Sequence, residues 1–193
     1  MRICLYGAAS PTIDPAYIQA TEEFGKEMAC RGHSLVFGGG GRGLMGAAAR
    51  GIHAGGGHIL GIIPRFFAED DIESTSELCD DVLETDTMRQ RKQLMEENAD
   101  AFLMVPGGIG TYEEFFEILT AKQLCRHNKP IAIFNLMGYY EPLNRLMEEG
   151  IRQNFIKESV KELYIISDDP AELLRYMEGP QNAAKTIKEL KDG

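Results

Sequence analysis

Three stretches of this chain carry residue types that could do chemistry. The first, Val105-Pro106-Gly107-Gly108-Ile109-Gly110-Thr111-Tyr112-Glu113-Glu114, joins an apolar strand-like run to a helix-forming one. Glycines at such a junction let main-chain N–H groups close on an anion, and the helix that follows adds the positive end of its dipole. Thr111 and Glu114 have the spacing of a capping box, with Thr111 as N-cap and Glu114 at the third helical position. Glu114 also shares a helical stripe with Ile118, Ala121 and Cys125. Its carboxylate is therefore expected to point to the top of a sheet, where it could act as a base or stabilise a cation.

The second stretch, Thr87 to Met95, reads as a helix with Met88, Met95 and Ala99 on one face. Arg91 and Lys92 fall within about 60 degrees on either side of that stripe. Such cations can snorkel along an apolar face with their heads in water, or clamp a phosphate or a leaving group if an anion site lies above them. The third stretch, Phe37 to Gly46, is the first glycine loop in chain order, in which Gly39 and Gly40 could bring the backbone close to a phosphate or ribose. Gly41-Arg42-Gly43-Leu44-Met45-Gly46 matches the GxGxxG dinucleotide pattern. The next strand, however, ends Gly61-Ile62-Ile63-Pro64-Arg65 without the acid that holds a ribose, which disfavours NAD. The loop that runs into Thr111 is not a P-loop, because Gly110 stands where a lysine must precede the hydroxyl residue.

Short apolar runs must position these loops: Ile3 to Tyr6, Ser34 to Phe37, His58 to Ile63, Ala101 to Val105, Ile131 to Phe134 and Leu163 to Ile166. They do not alternate, as expected of strands buried on both faces of a parallel sheet. Helical stretches lie between them, the first opening at Asp14-Pro15 and closing near Arg31-Gly32, and Gly55-Gly56-Gly57 reads as a later helix stop. The order predicts a single Rossmann-like, doubly wound α/β domain over residues 1–180, with a part-helical tail over 181–193. Ligands of such sheets bind outside the carboxyl ends of the strands. The acidic stretch Pro64 to Val82 reads as a functional loop or short helix over that edge, or as a merely solvated excursion.

A net charge of −10 would repel a nucleic-acid backbone, so any anion must be held locally. No apolar run is long enough to span a membrane and no leader pattern opens the chain, so a cytoplasmic protein is expected. Four scattered cysteines and four histidines form no metal-binding pattern, so neither a metal nor a cofactor is expected.

Taken together, Gly38 to Gly46, Met88 with Arg91-Lys92, and Pro106-Gly107-Gly108-x-Gly110-Thr111-x-x-Glu114 resemble the LOG ("lonely guy") family. These are cytokinin riboside 5′-monophosphate phosphoribohydrolases, often mislabelled as lysine decarboxylases. The resemblance implies a Rossmann-like homodimer acting on a nucleoside monophosphate. Arg91 and Glu114 would be the catalytic pair, with Met88 and Lys92 beside the substrate. Gly107 to Thr111 (Gly107, Gly108, Ile109, Gly110, Thr111) would hold the 5′-phosphate, and Thr120 and Glu73 would also line the site. Gly7-Ala8-Ala9-Ser10 stands where the family more usually has Gly-Ser-Ser. A different class of reading is a nucleotide or molybdenum-cofactor carrier without turnover. A pyridoxal-phosphate decarboxylase would need a Schiff-base lysine, and Lys92 is the only lysine near these loops.

Overall fold

The computed structural model describes residues 1–69, 75–181, 186, 187 and 190. Strand β1 (Arg2–Tyr6) leads to helix α1 (Pro15–Cys30), whose first turn is held by the Asp14 carboxylate accepting from Ala16 N–H at 2.9 Å. Then come β2 (Ser34–Phe37), α2 (Gly43–Ala54), β3 (Ile59–Pro64), the five-residue α3 (Arg65–Glu69), β4 (Asp81–Thr85) and α4 (Met88–Asn98). The second half runs β5 (Ala101–Met104), α5 (Ile109–Gln123), β6 (Ile131–Phe134), α6 (Glu141–Arg152), β7 (Ile165–Ser167) and α7 (Pro170–Glu178).

All seven strands pair in parallel in the order β4-β3-β2-β1-β5-β6-β7. The expected α/β doubly wound architecture is present. One face of the sheet packs against α1, α2 and α7 through Phe24, Met28, Ile52 and Leu173, and the other against α4, α5 and α6 through Met95, Phe115, Ile118 and Leu143. Phe37, Phe102, Phe115 and Phe134 are fully buried or nearly so, each stabilising the fold by roughly 2–3 kcal/mol. The strand order reverses between β1 and β5, so the loops that follow those two strands diverge and open a crevice at the carboxyl edge.

In the stretch Pro64 to Val82 a short helix is present, one of the two forms expected for a segment over the site. This helix is α3, and the stretch leads into an unexpected edge strand, β4, which pairs with β3 from Leu60↔Asp81 to Pro64↔Thr85. After residues 70–74, Ser76 N–H donates to Gly39 O at 2.7 Å and Thr75 bridges Gly40, so the segment returns onto the first glycine loop. In the tail, Leu190 is buried in the core beneath α5 and its carbonyl accepts from Gln123. Among the described residues no helix is long and apolar enough to cross a membrane.

Candidate active site

The crevice is closed on one side by β1's own loop. Ala8 N–H donates to Pro106 O at 3.1 Å, and Ala8 O accepts from Leu44 N–H at 2.8 Å and more weakly from Met45 N–H. The amino terminus of α2 is thereby capped by a protein carbonyl, so the first glycine cluster does not offer an open anion site there. Gly43 takes φ +57°, and a side chain on it would strike the Ala8 carbonyl, so this glycine serves close packing.

The second glycine loop does the opposite. Helix α5 starts with Gly108 as its N-cap, with no side chain accepting from its first turn. Thr111 and Glu114 are therefore not a capping box, as their spacing had suggested: Thr111 is the third residue of the helix and Glu114 the sixth. The amides of Ile109, Gly110 and Thr111 have no partner within the helix, and they carry the positive end of its dipole. A Cβ on Gly107 would overlap the buried Thr111 hydroxyl at 2.1 Å, which explains that glycine by packing. Cβ atoms on Gly108 and Gly110 would meet nothing within 4 Å, so the fold itself does not require glycine at either position.

Arg91 does not snorkel. It is only 6% exposed, with Nε donating to Ile62 O at 3.0 Å and Nη2 to Gly38 O at 3.2 Å, and its guanidinium lies over the Phe67 ring at 5.5 Å. Two strand-end carbonyls and an aromatic face thus fix the fork, leaving Nη1 without such a tether. Gly38 makes this possible, since a Cβ there would sit 1.8 Å from Nη2. Gly38→Ala is expected to eject the guanidinium, lowering kcat/KM about 100-fold and stability by about 1–3 kcal/mol, because Ile62 O and Gly38 O lose their donor. Retained activity would show that the tether is dispensable.

Glu114 shares a cleft of about 230 Å³ with Arg91, walled by Gly7, Ala8 and Ala9 after β1, Met45, Phe67, Gly108, Gly110 and Thr111. Its pKa is pushed up to about 7, chiefly by burial, with the Arg91 charge pulling the other way. The same carboxylate helps to raise the Cys4 thiol, to about 12, and the Tyr6 phenol on β1, although burial dominates both. The structure thus brings together Arg91, Glu114, Gly108, Gly110 and Thr111. It does not bring the Lys92 ammonium into this cleft: Nζ pairs with Glu117 at 2.7 Å and with Glu113, on the outer side of α5. Met88, Thr120 and the 88%-exposed Ile109 side chain lie outside these walls, Gly39 and Gly40 are buried behind them, and Glu73 lies outside the described residues. Sequence reasoning missed Phe67 and the Ala8–Ala9 backbone. A usable signal for Phe67 was its place just after a strand's carboxyl end.

A parallel α/β sheet with an acid, a fixed guanidinium and open helix amides at its switch point defines a Rossmann-like protein with a ligand cleft at the carboxyl edge. The family model described as "Possible lysine decarboxylase" matches residues 45–177. A cytokinin riboside 5′-monophosphate phosphoribohydrolase of Arabidopsis thaliana is 37% identical over 92% of this chain and 81% of its own length. One from Oryza sativa subsp. japonica is 36% identical over 92% of this chain and 72% of its own. The chain belongs to this family, the LOG family that its motifs resemble. Among solved structures, the molybdenum cofactor carrier protein from Chlamydomonas reinhardtii aligns with a TM-score of 0.65 at 22% identity, over 88% of this chain and 91% of that one. A molybdenum cofactor binding protein from Rippkaea orientalis aligns at 0.64 and 18%, over 90% and 91%. At such identities both show the shared fold alone. The decarboxylase description does not fit the cleft, whose walls among the described residues hold no lysine to form a Schiff base.

Proposed function

We propose that this chain hydrolyses the N-glycosidic bond of an adenine-type nucleoside 5′-monophosphate, AMP or a cytokinin riboside 5′-monophosphate, to free base and ribose 5-phosphate. One observation carries the reading: a carboxyl poised near neutral pH and an immobilised arginine share a cleft with unpaired helix amides. The names of the relatives support it.

The amides of Gly108 to Thr111 and the Thr111 hydroxyl hold the 5′-phosphate, and that remote binding energy places the anomeric carbon beside Glu114. As the C1′–N bond breaks, its electron pair leaves with the base, which takes up a proton from solvent, and positive charge develops on the ribose, as in glycoside hydrolysis; the proton that Glu114 then gains from water returns to solvent. Ionised Glu114 stabilises that charge and takes a proton from the water whose oxygen bonds to C1′. Arg91, held by Ile62 O and Gly38 O, offsets charge on the departing base. In this single chain Lys92 stands one layer out, holding Glu113 and Glu117 away from the cleft. A second copy of the chain, as the resemblance implies, stands near this site.

Screening nucleoside monophosphates for base release, with adenosine as the control lacking phosphate, tests the reading. AMP or an N6-substituted AMP is expected to react and adenosine to react far more slowly; equal rates would remove the phosphate from recognition. Gly110→Ala tests the cradle separately. Alanine at this helical position is favoured over glycine by up to about 1 kcal/mol, yet its methyl enters the anion space. The variant is expected to melt higher while its KM for AMP rises at least about tenfold. An unchanged KM would move the phosphate elsewhere.

A further inference from the structure

We infer that Tyr139 is a positioning residue for the anion cradle, its hydroxyl fixing the Gly107–Gly108 peptide so that Gly108 N–H faces the cleft. The inference rests on the reading of the α5 amides as a phosphate site. A short 3-10 turn, Leu136–Gly138, with Met137 at φ 54° and Gly138 at φ 73°, delivers Tyr139 and Tyr140 side by side against the loop after β5. Tyr140 OH donates to Val105 O at 2.7 Å and Tyr139 OH donates to Gly107 O at 2.8 Å, so alternate carbonyls are held from one side.

No cis peptide occurs among the described residues, so the C=O and N–H of the Gly107–Gly108 unit point in opposite directions. Gly107 O points at Tyr139, in an apolar pocket of about 210 Å³ that Ile13, Tyr17 and Leu44 also line. Gly108 N–H must then point away from that pocket, and Gly108 is a wall shared with the Arg91–Glu114 cleft. A Gly-Gly peptide is the one most easily flipped, because neither residue has a Cβ to resist it. Among the described residues nothing packs against the open side of Gly108. The Tyr139 bond therefore selects between two orientations, only one of which presents a donor to an anion. Tyr112, on the first turn of α5, interacts through its phenol with Tyr139 and helps to orient it.

Tyr139→Phe keeps the ring contacts with Tyr140 and Tyr17, at 5.0 and 6.3 Å, and removes the hydroxyl, and with it the donor to Gly107 O and the partner of the Tyr112 phenol. Inorganic phosphate is titrated into the parent and the variant while the Gly108 and Gly110 amide resonances are followed by NMR. Loss of one such bond corresponds to a five- to tenfold rise in the phosphate Kd, to about that order. The melting temperature is expected to stay within about 2 °C. In turnover, KM for AMP should rise by a similar factor with kcat within about twofold, and KM for adenosine should not change. A phosphate Kd unchanged in the variant, or an equal loss for adenosine, overturns the inference. So does a parent whose Gly108 amide ignores phosphate. A parent that binds phosphate through Gly108 yet releases no base overturns the hydrolase reading alone, and the Tyr139 comparison then stands on phosphate binding.

Discussion

Glu114→Gln is expected to lower kcat for base release by about 1,000-fold or more, with AMP affinity changed by no more than about threefold. The amide is nearly isosteric, so the phosphate cradle and Arg91 keep their places, but it can neither accept the water's proton nor carry the charge that opposes a ribosyl cation. In the parent, the active form is the ionised carboxylate. The rate should therefore rise with pH through a single ionisation centred at about 7 in the free protein and then level off. Stability should move in the opposite direction. The native pKa lies above the ordinary value of 4.5, so between about 4.5 and about 7 the folded protein retains a proton that the unfolded chain has lost. The parent thus loses stability as pH rises through that window, whereas the glutamine variant does not. Above pH 8 the variant is expected to be more stable by roughly 1–3 kcal/mol, the difference vanishing below pH 4.5. Urea titrations at the two pH values measure this. Comparable turnover in the variant would take Glu114 out of the chemistry.

Arg91→Ala is the second large effect, and it should damage binding and rate together, reducing kcat/KM by about 1,000-fold or more. Two buried carbonyls, Ile62 O and Gly38 O, lose their donor, so a stability loss of about 1–3 kcal/mol is expected as well. A sharper readout comes from Glu114. Burial raises its pKa and the Arg91 charge is the leading influence that lowers it, so without Arg91 the carboxyl should titrate higher still. The residual activity of the variant should therefore show its rising limb displaced to more alkaline pH. Unchanged kinetics would mean the guanidinium has only a structural task. An unshifted limb would mean that the two side chains do not sense each other.

Much of the fold was legible because six of the seven strands are short, apolar and unalternating, as strands covered on both faces must be. Strand β4 was not, because DVLET lies at the sheet edge with Val82 and Leu83 partly exposed, inside an acidic stretch that carries no apolar run. Leu163 was placed in the last strand but closes a 3-10 turn, Glu158–Leu163, that packs under α5. In the site, Glu114's stripe was readable from helical spacing, but the capping box was not a safe inference. Helix α5 opens on a bare glycine with no side chain capping its first turn, and a threonine three residues on then mimics a cap. The burial of Arg91 was hidden because its partners come from the ends of β2 and β3, far away in sequence. Only Gly38, the residue whose missing side chain makes room for the fork, left a trace of it.

The most direct test of the central claim is a product balance on AMP incubated with the purified protein. Adenine and ribose 5-phosphate are expected in equal amounts, with neither adenosine nor inorganic phosphate formed. AMP that is bound in the cleft and recovered intact, or that is converted to adenosine, would contradict it.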